Sequence, residues 1–191
     1  MDGIRWLAED CDTYCLLLAR GLDVDSLAAR LGGDPDDVMP EVTADEAFAL
    51  AMAKGAVTRL GVCGAWAFSL EHWSAEGMET QTLERVSMGT ECVVVLNSGT
   101  PPLWFAHAVD GEVAELFEPV EARDALERSA PGATLWGRVA AGLVAAGVPN
   151  LTAAESAETV LLTLVERHCE VGLPRVSLDR DPHPALLLVQ T

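Results

Sequence analysis

The chain has 191 residues, half of them apolar, so it can bury a sizeable core and does not have the composition of a disordered protein. Its 30 acidic and 12 basic side chains give a net charge of -18, which repels nucleic-acid phosphates and anionic membranes and argues against both as partners. The same charge favours encounter with a basic protein, although it also serves solubility alone.

The N-terminal part, residues 1–55, is predicted to be helical. Apolar residues recur at helical spacing between residues 5 and 19, which predicts a first helix. A second, short helix follows, and Asp23 can cap its start. Thr43 and Glu46 have the spacing of a capping box, which predicts the start of a third helix.

The middle part, residues 56–119, is predicted to be an antiparallel sheet. Strands are expected in the stretches AVTRLGV, AWAFSLEHW and ECVVVLN, followed by a hairpin in WFAHAVDGEVAELFEP. Residues 83–87 are expected to form a short connecting turn. The sheet part is therefore expected to hold about five strands.

The hairpin turn predicts a strand register. Asp110-Gly111 is a strong two-residue turn signal, because both turn positions need positive φ. A regular register from this turn places His107 opposite Ala114 and Trp104 opposite Phe117. His107 then lies on a mostly apolar face of the sheet.

The C-terminal part, residues 120–191, is predicted to return to helices and to end in a tail. Helices are expected at residues 121–128, in TLWGRVAAGLVAAG and in TAAESAETVLLTLVERHC, where Thr152 and Glu155 have capping-box spacing. VGLPRVSLDRDPHP is expected to be a loop, and ALLLVQT an edge strand or an apolar tail. The whole predicts one α+β domain over residues 1–191, an antiparallel meander sheet with helices packed on one face.

Several short stretches together resemble a family of uncharacterised actinobacterial proteins. They are ARGLDVDSLAARLGGDP, GAWAFSLE, LERVSMGTECVVV with FAHAVDGEVAELFEP, and GVPNLTAAESAETVLL. The resemblance covers most of the chain. It implies a domain of unknown function, a bacterial cytosol and a shared fold, and it assigns no activity and no catalytic residue.

The cysteines and the N-terminus predict the compartment. The N-terminus has acidic residues where a signal peptide needs a basic and then an apolar segment. No apolar run approaches the ~18 residues of a membrane span. The five cysteines are scattered, odd in number and without a C-x-x-C pair. We therefore predict a cytoplasmic protein with reduced thiols.

Three residues are candidates for chemistry. A neutral imidazole at His107 can act as a general base, and Cys92, at the start of the preceding strand, is a candidate nucleophile. Glu71 ends a strand next to His72 and Trp73, where the three could line a pocket. No nucleotide-binding or hydrolase motif occurs in the sequence, so we predict no catalytic residue and place a core role for His107 above a chemical one.

A binding surface is the preferred interpretation of the polar residues among aromatics. The residues predicted to form it are Glu71, Trp73, Trp104 and Glu115. We expect Glu115 to share a hairpin face with Trp104 and Phe117, where carboxylates beside aromatic rings favour a basic partner.

No cofactor and no metal site are predicted. Cys11 and Cys15 would share a face of the first helix and could join His168 and Cys169, but zinc sites usually show tighter pairs. The acidic stretch GDPDDV lacks the glycine and glutamate placement of a calcium-binding loop, so a solvated loop is expected there.

These observations favour a non-enzymatic, acidic protein-binding module, of the immunity or antitoxin-like kind or a regulatory partner of a basic protein. Two alternatives stay open. One is a small-molecule-binding protein or enzyme with a pocket around His107, Glu71 and Cys92. The other is a structural subunit that self-associates as a homo-oligomer, with the apolar tail adding a strand to a neighbour.

Overall fold

The computed structural model describes residues 3–99, 103–119, 135–146 and 156–188. Their helices and strands, in chain order, are α1 Leu7–Asp10, β1 Tyr14–Arg20, α2 Val24–Arg30, β2 Met39–Val42, α3 Ala44–Lys54, β3 Val57–Cys63, β4 Trp66–Glu71, α4 Thr80–Ser87, β5 Glu91–Asn97, β6 Leu103–Val109, β7 Glu112–Phe117, α5 Leu135–Ala145, α6 Ala157–Cys169, α7 Arg175–Arg180 and β8 His183–Leu187. Short 3-10 turns lie at Pro35–Asp37 and Glu76–Met78.

One antiparallel sheet organises the described residues. Its strands follow the order β2-β8-β3-β4-β1-β5-β6-β7, and every neighbouring pair is antiparallel. The α+β class with an antiparallel sheet is confirmed. The predicted count of about five strands is wrong, since eight strands occur in this part of the chain. The simple meander is also wrong, because β1 lies between β4 and β5, and β8 lies between β2 and β3.

The predicted helix over residues 5–19 is wrong beyond its first turns. Only α1 is helical, and the chain then forms β1, which pairs with β4 on one side and β5 on the other. β1 is buried on both faces, with Leu16 and Leu18 toward one face and Leu17 toward the other. A strand buried on both faces has a continuous apolar run, so its sequence lacks the alternation that would have identified it.

Helices cover both faces of the sheet, and not one face as predicted. The first core cluster joins α1, α5, α6 and α7 to side chains such as Phe68 and Phe105. The second joins α2 and α4 to the opposite face, at side chains such as Leu17 and Val94. A third, small cluster packs α3 against β2, β3 and β8. The sheet is apolar on both faces and therefore needs a helical layer on each.

Local capping and turn predictions are confirmed. The Asp23 side chain accepts a hydrogen bond from the Ser26 amide at 2.8 Å at the start of α2. Thr43 and Glu46 form a capping box at the start of α3. At the β6–β7 turn, Asp110 has a φ of 52° and the following glycine a φ of 83°, as a two-residue hairpin turn requires.

The register of the β6–β7 hairpin differs from the regular one predicted from its turn. His107 lies opposite Glu115, because Ala114 is an extra residue in β7 between the pairs His107–Glu115 and Ala108–Val113. Phe105, and not Trp104, therefore faces Phe117. The bulge is a tertiary feature that the turn residues alone do not specify.

Other elements missed by the sequence analysis are short or depend on distant partners. Residues 80–87 are the helix α4, where a turn was expected, and α7 lies in an expected loop. β8 is an interior strand and not an edge strand or tail. The predicted helix at residues 121–128 and the capping pair Thr152 and Glu155 lie outside the described residues. The described start of α6 is capped by Ser156, whose hydroxyl accepts from the Thr159 amide at 3.1 Å.

Candidate functional site

The sheet separates the three residues considered for chemistry. His107 lies on the face covered by α5 and α6, while Glu71 and Cys92 lie on the face covered by α2 and α4. Glu71 pairs with Cys15 of β1 and Cys92 with Ala19. Four residues along a strand correspond to about 13 Å, so even these two side chains are apart. The structure does not bring the three together into one pocket.

Glu71 is fully buried and organises the loop after β4. Its carboxylate accepts hydrogen bonds from the Ser74 hydroxyl at 2.6 Å and from the backbone amides of Glu76 at 3.0 Å and Gly77 at 2.8 Å. A Cβ on Gly77 would lie 2.9 Å from a Glu71 carboxylate oxygen, so the close approach suits glycine. Burial raises the pKa of the Glu71 carboxyl, and these donors partly offset the rise. Glu71 is thus not part of the surface.

His107 is 3% exposed and takes part in a short polar row. Its Nε2 lies 3.4 Å from Oε2 of Glu91, whose other oxygen accepts from Arg20 at 2.9 Å. Burial lowers the pKa of His107, and the Glu91 carboxylate partly offsets this. A small ligand does not reach this imidazole unless the surrounding core rearranges.

Cys92 and Cys15 do not have the surroundings of reactive or metal-binding thiols. Burial raises the pKa of Cys92 to about 12, which keeps it as a thiol. Cys15 lies on the α2–α4 face of the sheet, while Cys11 and Cys169 pack with the opposite core cluster. All five cysteines of the chain are free. Within the described residues, no group of three or more His, Cys, Asp or Glu side chains could hold a metal ion.

Helix α3 presents an apolar face to solvent. Phe48 is 48% exposed and Met52 73% exposed, and Ala49 and Ala53, which follow them in the chain, are also exposed. Among the residues of α3, only Ala47 is buried. Ala47, Leu50 and Ala51 pack on the third core cluster, as the apolar stripe of a surface helix does, so the outward apolar residues form a second, unburied stripe.

Trp73 extends this apolar surface from the neighbouring loop. Its side chain is 66% exposed and meets Phe48 edge to face, with ring centroids 6.5 Å apart. Its φ is 65°, which a bulky residue adopts only when its surroundings impose it. The hydrogen bonds of Glu71 to the following loop supply that constraint. We call the surface formed by Phe48, Ala49, Met52, Ala53 and Trp73 the α3 face.

Carboxylates border the α3 face. A groove of about 470 Å³ runs between β2 and α3 and is lined by Met39, Glu41, Val42, Glu46, Ala49 and Leu50. Two of its six lining residues are acidic, and the others are apolar. Asp45, in the first turn of α3, is exposed beside them. The apolar surface is therefore flanked by negative charge.

The other predicted binding residues do not lie on this surface. Trp104 is half-buried on the α2–α4 side of the sheet, and Glu115 is half-buried on the opposite side, across from His107. The predicted common face of these two residues is wrong, because the bulge in β7 shifts the register by one residue. Of the four predicted binding residues, only Trp73 belongs to the α3 face.

The comparison with protein families covers most of the chain. Residues 5–168 match DUF6461, a family of unknown function. The chain belongs to this family. Membership of DUF6461 confirms the resemblance to a domain of unknown function, and it assigns no activity to any residue. The matched range ends in α6, so α7 and β8 lie outside it.

Searches of curated proteins and of solved structures give no match. None of the helices in the described ranges is long and apolar enough to cross a membrane. Any function proposed for this member of DUF6461 therefore depends on its own residues.

The sequence contained a signal for the α3 face that the sequence analysis did not use. Apolar residues occur around almost the whole circumference of the capped helix, at Phe48, Leu50 and Met52 among alanines. A helix that is apolar all round is buried or docks a partner. In the structure one side of this helix is buried and the side with Phe48 and Met52 is exposed.

Proposed function

We propose that the protein is a non-enzymatic binding module whose α3 face docks a basic protein. The observation that carries the proposal is the exposed contact of Phe48 with Trp73, continued by Met52. Aromatic and methionine side chains are enriched at the centres of protein interfaces, and exposed groups of this kind mark interaction sites. The sequence predicted a binding role for Trp73. In the structure Phe48 and Met52 extend its exposed ring into a larger apolar surface.

The apolar residues are suited to supply affinity. Burying an aromatic side chain removes about 150–250 Å² from water, at roughly 25 cal/mol for each Å². Phe48 and Met52 project from one side of a helix that a capping box holds at its start. Their backbone is therefore already ordered before a partner binds, which lowers the entropic cost of association.

The charged residues are suited to supply selectivity for a basic partner. Glu41 and Glu46 line the groove beside α3, and Asp45 lies at the helix start. The chain as a whole carries -18, which attracts a basic protein over longer distances. Rim charges of this kind act mainly on the association rate, so binding should weaken as salt screens them.

An immunity-like or antitoxin-like role, or regulation of a basic bacterial protein in the cytoplasm, fits an acidic module with a preformed docking helix. The self-association alternative uses the same α3 face with a second copy of the chain. The alternative of a pocket around His107, Glu71 and Cys92 has less support, because the sheet separates those side chains.

The test is site-specific photo-crosslinking in the source cells or their lysate. A benzophenone amino acid replaces Met52 in one variant, and Met88 in a control variant. Met88 is 59% exposed, follows α4 and lies away from the α3 face. We expect an adduct with one basic protein from position 52 and none from position 88, and we expect raised salt to reduce its yield.

A second substitution shows whether the contact depends on the α3 face. Phe48→Ser should abolish the adduct at position 52, whereas Val62→Ser, at another exposed apolar residue, should leave it intact. Adducts at position 52 that contain only a second copy of the chain would favour the structural subunit. Equal adducts at positions 52 and 88 would argue against any specific docking surface.

A further inference from the structure

The methionines of the described residues differ in how far their side chains reach solvent. Met39 and Met78 are half-buried, and each packs against a core cluster. Met52, in α3, is 73% exposed, and Met88, after α4, is 59% exposed. In the described part of the chain, two thioether side chains are therefore open to a small reagent.

Of these two, Met52 has the more open sulfur. A Cβ placed on Gly111 would lie 3.3 Å from the Met88 sulfur and 3.2 Å from its terminal methyl carbon. The Met88 thioether therefore packs against the β6–β7 turn, although much of its side chain is exposed. Met52 has the exposed alanines Ala49 and Ala53 beside it on α3. Alanine side chains are too short to cover a neighbouring thioether.

The cysteines are poor competitors for an oxidant. Peroxides react with the thiolate and not with the thiol. Burial raises the pKa of Cys92 and of Cys169 to about 12, and it also raises the pKa of Cys15. Cys11 and Cys63 are half-buried against the first core cluster. A thioether needs no deprotonation, so an exposed methionine is the more accessible sulfur at neutral pH.

We propose that Met52 is the first of the described residues that peroxide oxidises in the folded chain, and that its sulfoxide prevents docking at the α3 face. A lone pair of the thioether sulfur attacks one oxygen of hydrogen peroxide, so that the S–O bond forms as the O–O bond breaks. The proton on the sulfur-bound oxygen passes to the departing hydroxide, which leaves as water. The sulfur is oxidised by two electrons, and the peroxide is reduced. Hydrogen peroxide is uncharged, so the net charge of -18 does not repel it.

The sulfoxide acts on docking and not on the fold. Met52 follows Phe48 by four residues, so it lies on the same side of α3 and within the α3 face. The sulfoxide oxygen is a hydrogen-bond acceptor that loses its water when an apolar partner surface covers it. In the free chain the same group stays solvated, because this side chain is largely exposed. The effect on docking rests on the function proposed above, whereas the site of oxidation does not.

The first experiment locates the oxidation without a partner. The full chain is treated with dilute hydrogen peroxide at pH 7, samples taken over time are digested and analysed by mass spectrometry, and residual thiols are counted by alkylation. We expect Met52 to react at least about threefold faster than Met88, and at least about tenfold faster than Met39 and Met78. Equal rates at Met52 and Met88, or an earlier loss of any thiol, would overturn the assignment.

A denatured control separates the effect of the fold from that of the local sequence. In concentrated urea the four methionines should react at similar rates, because all of them are then open to solvent. If the preference for Met52 persists in urea, neighbours in the sequence cause it, and the argument from exposure is wrong.

The second experiment measures docking by the oxidised chain. The benzophenone amino acid is placed at Ala53, an exposed position of the α3 face, so that Met52 is retained. The purified chain is oxidised, freed of peroxide and added to a desalted lysate, which lacks the small reductants needed for sulfoxide repair. We expect the adduct with the basic protein to fall at least about tenfold. Treatment of the oxidised chain with methionine sulfoxide reductases and dithiothreitol should restore it.

Two leucine variants assign the loss to one methionine. Each variant is compared with its own unoxidised adduct, so any effect of leucine on docking itself does not enter. Oxidation should leave the adduct of Met52→Leu intact and should still reduce that of Met88→Leu. The opposite pattern, or an adduct of the unsubstituted chain that survives oxidation, would refute the redox control. An adduct that is missing before oxidation would contradict the docking function and its redox control together, while the peptide map decides the site of oxidation by itself.

Discussion

Phe48 and Trp73 pack edge to face with ring centroids 6.5 Å apart, although their side chains remain 48% and 66% exposed. The contact joins a helix to a loop, and it is preformed without a partner. The buried Glu71 carboxylate accepts hydrogen bonds from this loop and holds it in position. The exposed position of the Trp73 indole therefore depends on a buried acidic residue.

The α3 face should contribute little to stability. We expect Phe48→Ser combined with Met52→Ser to change the free energy of unfolding by less than about 1 kcal/mol, because both side chains are largely exposed. Phe105→Ala, in the core, should cost about 3–5 kcal/mol. Urea denaturation followed by circular dichroism measures both. A large loss in the surface variant would mean that α3 packs against a part of the chain outside the described residues.

Replacement of Glu71 should loosen the loop that carries Trp73. Glu71→Gln places an amide hydrogen against one of the donors at Ser74, Glu76 or Gly77, which should cost about 2 kcal/mol. Amide hydrogen exchange at Gly77 should become faster, and the fluorescence of Trp73 should shift. Unchanged exchange at Gly77 would show that the three hydrogen bonds do not hold the loop.

Glu71 also gives a pH dependence with a defined sign. Since burial raises its pKa above the ordinary value of 4.5, the folded state holds the proton more tightly than the unfolded state. The corresponding stability is fully present below pH 4.5 and is lost as pH rises through the folded pKa. Glu71→Gln should lack this component when free energies of unfolding are compared from pH 4 to pH 7.

His107 should act in the opposite direction. Burial lowers its pKa below 6.5, so the unfolded state binds a proton first. Its contribution to stability is complete above pH 6.5 and is lost as pH falls through the folded pKa. We expect His107→Leu to reduce the loss of stability between pH 7 and pH 5, as measured by urea denaturation at each pH.

A matched change at Glu91 tests the assignment to His107. Glu91→Gln removes the carboxylate that favours the charged imidazole, so the loss of stability below pH 6.5 should become steeper. A residual slope in His107→Leu is expected from His183, whose pKa burial and Arg59 also lower. A slope that neither substitution alters would assign the pH dependence to other groups.

The β-bulge predicts which single-residue deletion the hairpin tolerates. Deletion of Ala114 should leave His107 opposite Glu115 and Phe105 opposite Phe117, because Ala114 is the residue without a partner in the register. Deletion of Ala106 in β6 should instead turn the following core side chains to the wrong face. Contacts between the two phenylalanine rings, seen by NMR, should persist in the first variant and disappear in the second.

The sequence predicted the features that depend on neighbouring residues. The capping box at Thr43 and Glu46, the cap at Asp23 and the Asp110-Gly111 turn are each closed by hydrogen bonds or dihedral angles within a few residues. Such features form wherever their residues occur. They identify elements but do not place them in the sheet.

The features that depend on distant residues were not predicted. The sequence predicts a helix for β1 because a strand buried on both faces has no alternation. It predicts an edge strand or a tail for β8 because the partners β2 and β3 lie far away in sequence. The sequence predicted that Glu71, His72 and Trp73 could line a pocket at the end of β4. In the structure His72 and Trp73 line a cleft with residues of distant segments, and Glu71 is buried away from it.

The insertion of β8 between β2 and β3 has a consequence for synthesis of the chain on the ribosome. Among the described strands, β2 pairs with β8 and no other, so it cannot join the sheet until residues 183–187 have been translated. Until then, the edge of β3 that later pairs with β8 is unpaired and lies next to the apolar helix α3. An unpaired strand edge of this kind promotes aggregation of the nascent chain or binding of a chaperone. The groove between β2 and α3 is therefore completed last, and a partner that requires the groove would recognise only chains whose translation has passed β8.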